Sequence, residues 1–130
     1  MRDRLSLATI ILIAVGLVTF ALLPISWEFL SPNLDPYLHA LGALSLTVLL
    51  TQLLRKQGEE FAAILCKIII AAILASVFWG VVELLQVYIP HHGPEATDLK
   101  ADMVGVAVAG LGRIFWELYF TLRLKEEIVV

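Results

Sequence analysis

Apolar residues run in long blocks along this chain, and most polar residues collect between the blocks. A helix needs about 20 mainly apolar residues to cross a bilayer. Four stretches meet that requirement: Leu5 to Ile25, Tyr37 to Leu54, Phe61 to Ile89 and Thr97 to Trp116. The breaks have local causes. "PISWEFLSPNLDP" carries Pro24, Pro32 and Pro36 among Ser31, Asn33 and Asp35, which predicts a loop with an interfacial turn around Trp27 to Leu30. "RKQGEE" is a charged turn containing Gly58, and "PHHGPEATD" holds Pro90, Gly93 and Pro94. No repeat, linker or charge block divides the chain, so one domain over residues 1–130 is expected. The predicted fold is an all-α integral membrane bundle of four transmembrane helices, at about 5–25, 37–54, 68–89 and 97–116.

Composition agrees with that pattern. The chain is 60% hydrophobic and 16% charged, against roughly half and one quarter in soluble domains. Net charge is −3 with no basic patch, which argues against nucleic acid as a partner. Cys66 is the single cysteine and reads as a small core or lipid-facing hydrophobe. Arg2 and Arg4 before an apolar run resemble the start of a signal peptide. The uncharged run from Leu5 to Ile25 exceeds the usual h-region of about 7–15 residues, and no A-x-A-like site follows, so a retained transmembrane helix is expected.

Basic flanks set the expected orientation, because cytoplasmic flanks are rich in Lys and Arg. Arg2 and Arg4 precede the first span, Arg55 and Lys56 follow the second, and Arg113, Arg123 and Lys125 end or follow the fourth. The loop after the first span has no Lys or Arg, and the loop after the third has only Lys100. Both termini are therefore expected in the cytoplasm. A fourth span over Met103 to Leu122 would bury Arg113 near mid-bilayer at a cost of about 2.5–3.5 kcal/mol or more. Framing it from Thr97 to Trp116 lets Arg113 snorkel at the boundary, with Trp116 and Tyr119 as an aromatic belt. Starting the third span near residue 68 likewise leaves Lys67 at the interface.

With this orientation, polar residues of three helices share one depth. At a rise of about 1.5 Å per residue, Glu83 lies roughly 9 Å below the outer end of its helix, with Gln86 one turn above it. Asp102 lies roughly 7 Å in from Thr97, with Asp98 one turn above. His39 sits one turn below Asp35. Small residues permit close packing in lipid: Ala101, Gly105 and Ala109 form one such track, and Ser76 and Gly80 lie below Glu83.

Each residue also has a plainer role. Asp35 before Pro36 suits a helix cap, as do Thr97 and Asp98. His39 alone reads as a hydrogen-bonded interior histidine. His91 and His92 read as solvated, and Trp27, Trp79 and Tyr88 as interfacial or packing aromatics. Glu83 and Asp102 resist such readings, because ionisable residues inside a membrane are rare and usually face a bundle interior or a wet cavity.

The runs "DPYLH" (Asp35 to His39), "ELLQ" (Glu83 to Gln86) and "EATDLKADMVGVAVAG" (Glu95 to Gly110) resemble the VanZ-like membrane proteins, named for a teicoplanin-resistance protein. That family's signature is Asp-x-x-x-His, then Glu-x-x-Gln, then Asp-x-x-x-Asn-x-x-Gly. The resemblance covers Asp35 to Gly110 and carries the family's polar residues onto Asp35, His39, Glu83, Gln86, Asp98, Asp102 and Gly105. Pro36 stands where Lys is common, Asp102 replaces the usual Asn, and the usual Arg before the final Asp has no counterpart beyond His92. The site is thus more acidic than the family's. The resemblance implies a small multi-pass protein of the bacterial plasma membrane, with its polar site on the outer face and a link in some members to glycopeptide resistance.

The expected function is binding of an envelope component, such as a lipid-linked or polar head group, or of a partner membrane protein, within the lipid bilayer. Glu83 and Asp102 are the central carboxylates, Gln86 an amide donor, and His39, oriented by Asp35, a donor or proton acceptor. A membrane-embedded acid/base or metal-assisted enzyme is the first alternative, since close carboxylates with one His support proton transfer or hold an oxygen-loving ion. No H-E-x-x-H, Cys/His set or nucleophile motif is present, so no catalytic residue, metal or cofactor is assigned. A small proton-coupled transporter is the second alternative, disfavoured because Glu83 lies away from the midplane where such carriers bind.

Overall fold

The computed structural model describes residues 8, 9, 11–13, 15–17 and 19, then 34–56, 58–88 and 95–128. Among these the chain is all-helical apart from short connections. The long helices are α1 (Leu34–Leu54), α2 (Phe61–Gln86) and α3 (Ala96–Ile128). All three are long and apolar enough to cross a membrane, α3 over Ala96–Arg123. Most of the expected first span, the Trp27 loop, and His91 and His92 lie outside the described residues. Within that first span, the described positions between 8 and 19 are helical.

Each helix begins and ends where backbone chemistry allows. α1 starts at Leu34, so Asp35 is a first-turn acid instead of the expected cap. There it faces the positive end of the helix dipole. Glu60 precedes α2 in extended conformation, and its carbonyl accepts from the Ile64 amide at 3.1 Å. The turn before it needs Gly58, whose φ of 77° is costly for side-chain-bearing residues. Glu95 opens α3 by accepting from the amides of Asp98 and Leu99, so Thr97 and Asp98 lie inside the first turn and are not its cap.

The helix that holds the fourth predicted span runs beyond it at the far end. α3 continues past Trp116 to Ile128, because no Gly or Pro interrupts that stretch and charged side chains sustain a helix beyond an apolar segment. Arg113 does not stand alone at a boundary. Its guanidinium lies 2.6 Å from Glu117 Oε1, and Arg55, just after α1, reaches Glu117 Oε2 at 3.2 Å. Glu117 is buried and bridges two arginines. Lys67 is also paired, with Glu59 in the α1–α2 turn.

Packing follows a seam on α2. Ile64, Ile68, Ala71, Ala75, Trp79, Val82 and Gln86 are buried at intervals of three or four, the spacing that lines one face of a helix. Ile69, Ile70, Ile73, Val77 and Val81 point away from the bundle, as suits a lipid-facing surface. The central cluster is Ala43, Leu46, Ala75, Trp79, Val82 and Val106, with Leu17 of the N-terminal segment packed against it. α1 packs most extensively on α3. The crossing is closest at Gly105, where a Cβ would strike the Ala40 carbonyl. Ala109 is buried and Ala101 half-buried along the same track. At Gly80 a Cβ would meet nothing within 4 Å among the described residues, and the buried small residues of the α2 seam are Ala71 and Ala75.

Candidate functional site

The α2 seam that buries Trp79 and Val82 carries Glu83 and Gln86 onto the same face, one turn apart. Glu83 is therefore held against the bundle, not lipid, and is 5% exposed. Its Oε2 accepts a hydrogen bond from the Glu95 amide at 3.3 Å, tying the end of α2 to the start of α3. Its other oxygen, Oε1, lies 3.6 Å from His39 Nδ1.

His39 and Asp102 are brought together by the crossing of α1 and α3. His39 Nδ1 is 3.3 Å from Asp102 Oδ1 and 3.4 Å from Oδ2. Asp102 is fully buried and His39 nearly so. With its proton on Nδ1 the imidazole donates to the carboxylate; with it on Nε2, Nδ1 presents a lone pair to the cluster. The Trp79 ring lies 5.5 Å from the imidazole, centroid to centroid, and forms the apolar floor beneath it.

Two more carboxylates adjoin this core. Asp98 is buried one turn before Asp102, and half-buried Asp35 lies one turn before His39. Donor atoms of His39, Glu83 and Asp102 all lie within 4.8 Å of one another, and so do those of Asp35, His39 and Asp98. His39 thus joins two carboxylate groups. Gln86 is buried on the same face as Glu83.

The charge balance is unusual for a structural clasp. Four carboxylates meet one imidazole, and among the described residues no Lys or Arg forms an ion pair with them. Two buried oxygens, Glu83 Oε1 and Asp98 Oδ1, have no hydrogen-bond partner, nor has the Trp79 Nε1 donor. Buried polar atoms are satisfied in the great majority of cases, and each exception asks for a cause. Comparison with family models, with curated proteins and with solved structures found no match for this chain. The site is therefore argued from its own geometry.

Sequence reasoning located Asp35, His39, Glu83, Asp98 and Asp102 at one depth, and the structure joins them. It read Trp79 as an interfacial or packing aromatic, although its place four residues before Glu83 sets it directly beneath the carboxylate. It missed Glu117 entirely, because the fourth span was closed at Trp116. The available signal was a carboxylate four residues after Arg113.

Proposed function

We propose that this chain is a small bacterial plasma-membrane protein of the VanZ-like type, whose buried acidic pocket binds a component of the cell envelope. In this reading the N-terminal segment is a fourth spanning helix and both termini are cytoplasmic. The pocket then opens at the outer leaflet, toward a lipid-linked or polar head group or a partner membrane protein. Basic flanks support the orientation, and the motifs around Asp35, Glu83 and Asp102 support the resemblance.

One observation carries the binding role: Glu83 Oε1 and Asp98 Oδ1 are buried together without hydrogen-bond partners. Interhelical hydrogen bonds in membranes average only about 0.6 kcal/mol, too little to offset buried carboxylate oxygens left without a hydrogen bond, so holding helices together is a poor account of these two. The pocket also lies near one end of all three helices, unlike the midplane sites of coupled transporters.

Purification in nanodiscs, with mass spectrometry of co-purifying lipids and proteins, tests this. A species retained by the wild type and lost from Glu83→Ala at equal abundance is the expected result. Identical co-purifying species in both would remove the proposal. The close approach of His39 to both Asp102 and Glu83 favours a second reading, acid/base chemistry on the bound component, with His39 as the proton carrier. Turnover of the co-purifying species by wild type but not His39→Gln would establish it.

A further inference from the structure

One hydrogen-bonded oxygen and one without a hydrogen bond converge on a nitrogen. His39 Nδ1 faces Asp102 Oδ1 at 3.3 Å and Glu83 Oε1 at 3.6 Å, and Glu83 Oε1 has no hydrogen-bond partner. Ligand atoms about 2.0–2.2 Å from a metal lie roughly 3.0–3.5 Å from one another, so these separations resemble the edges of a coordination polyhedron. All three residues are buried, and they come from three different helices.

We propose that the pocket binds one divalent transition-metal ion, with His39 Nδ1, Glu83 Oε1 and Asp102 Oδ1 as its protein ligands. Charge supports the assignment. A neutral imidazole and two carboxylates carry two negative charges, which a divalent ion cancels, whereas an imidazolium would cancel only one. Donor chemistry narrows the ion: imidazole suits Zn²⁺, Fe²⁺ and Ni²⁺, while all-oxygen cages suit Mg²⁺ and Ca²⁺. In the usual order of divalent affinities such a site holds Zn²⁺ more tightly than Mn²⁺, with Cu²⁺ the one common ion that binds N/O donors more strongly still. Asp98 Oδ1, also unpartnered, stands beside this set as an acceptor for a metal-bound water or for a ligand's donor. No local motif marks the site, because each ligand sits on a separate helix.

This inference rests on the pocket of the preceding section but asks a separate question of it. The experiment uses the full chain, purified in phosphatidylcholine nanodiscs and freed of metal by chelator, titrated calorimetrically with Zn²⁺, Mn²⁺, Mg²⁺ and Ca²⁺. One Zn²⁺ per chain is expected, bound more tightly than Mn²⁺, with Mg²⁺ and Ca²⁺ weakest. Glu83→Gln and Asp102→Asn should each weaken Zn²⁺ by at least the roughly 10–100-fold that losing a ligand's own hydrogen-bond partner costs elsewhere. X-ray absorption at the zinc edge supplies a readout that needs no variant, since imidazole scattering should appear in the wild type and vanish in His39→Asn. Absence of stoichiometric Zn²⁺ uptake, preference for Mg²⁺ or Ca²⁺, or unchanged affinity in folded variants would each overturn the proposal. A co-purifying envelope species lost from Glu83→Ala in a chain that takes up no ion would overturn the metal and leave the binding reading intact. One bound Zn²⁺ with no co-purifying species would do the reverse.

Discussion

Gly105 of α3 lies directly beneath the Ala40 carbonyl of α1, one residue from His39 and three from Asp102. The tightest crossing in the bundle thus sits beside the closest contact of the site. Backbone contact fixes the distance between α1 and α3, and that distance brings the imidazole to the carboxylate.

Replacing this glycine should therefore disturb both fold and site. In Gly105→Ala the new methyl meets main-chain atoms of Ala40 and Leu44, which cannot rotate aside. A loss of about 1–3 kcal/mol is expected, the usual cost of overpacking. Gly80→Ala makes the same chemical change where no described residue lies within 4 Å, and should be neutral or stabilising by up to about 1 kcal/mol, through helix propensity. Unfolding in detergent with a steric-trap or SDS titration measures both. Equal effects of the two substitutions would contradict the crossing described here.

The Arg55–Glu117–Arg113 bridge should respond in a ranked manner. Glu117 is buried and meets both arginines; the Arg113 side chain is 17% exposed and that of Arg55 is 44% exposed. Glu117→Ala leaves a half-buried guanidinium unpaired, and a loss of about 3 kcal/mol is expected. Arg55→Ala removes a largely solvated partner and should cost less than about 1 kcal/mol. Arg113→Ala falls between them. The same unfolding titration gives the order, and a larger effect at Arg55 than at Glu117 would refute it.

The turn between α1 and α2 should carry a pH signature. The Lys67 ammonium and the Lys56 amide both donate to Glu59 and hold its carboxyl below its ordinary value of 4.5. Because the folded value is the lower one, the stabilisation is full above 4.5 and is lost as pH falls through the folded value. Wild type should therefore unfold at a slightly higher midpoint than Glu59→Gln near neutral pH. That difference should close below 4.5. A gap that widens on acidification would contradict the pairing.

Orientation can be read by labelling. In a Cys66→Ala background, Tyr88→Cys should react in intact cells with a membrane-impermeant maleimide, since Tyr88 is 84% exposed beyond the end of α2. Lys56→Cys, at the opposite end of that helix, should react only after permeabilisation. The reverse pattern would invert the proposed topology and turn the pocket toward the cytoplasm.

Much of the bundle was legible because a lipid solvent demands uninterrupted apolar helices, and Pro, Gly and charge mark their ends. The α1 span was bounded to within a few residues for that reason, and the apolar stretch from Phe61 to Ile89 matches α2 closely, although the span placed at 68–89 starts seven residues inside the helix. Glu83 and Asp102 were legible as site residues because their cost inside a membrane leaves few alternatives. Thr47 and Thr51, equally buried, were passed over without loss, since each hydroxyl donates to a carbonyl four residues back on its own helix. What stayed hidden depended on rotation and reach. Gly80 and Gly105 look alike in sequence, and only the helix crossing distinguishes them. The length of α3 beyond Trp116 was not legible because a charged helix protruding from a membrane carries no apolar signal.

The two polar layers lie at opposite ends of an apolar slab. His39 and Arg55 are separated by about 16 residues, or roughly 24 Å of helix, and Asp102 and Glu117 by about 15, or roughly 22 Å. Hydrocarbon in a typical bilayer is about 30 Å thick. The bundle therefore works as a ruler slightly shorter than the membrane it measures. Centring it leaves His39 only about 3–4 Å inside the hydrocarbon edge, where a low dielectric strengthens the electrostatics of its cluster although the bilayer surface is close by.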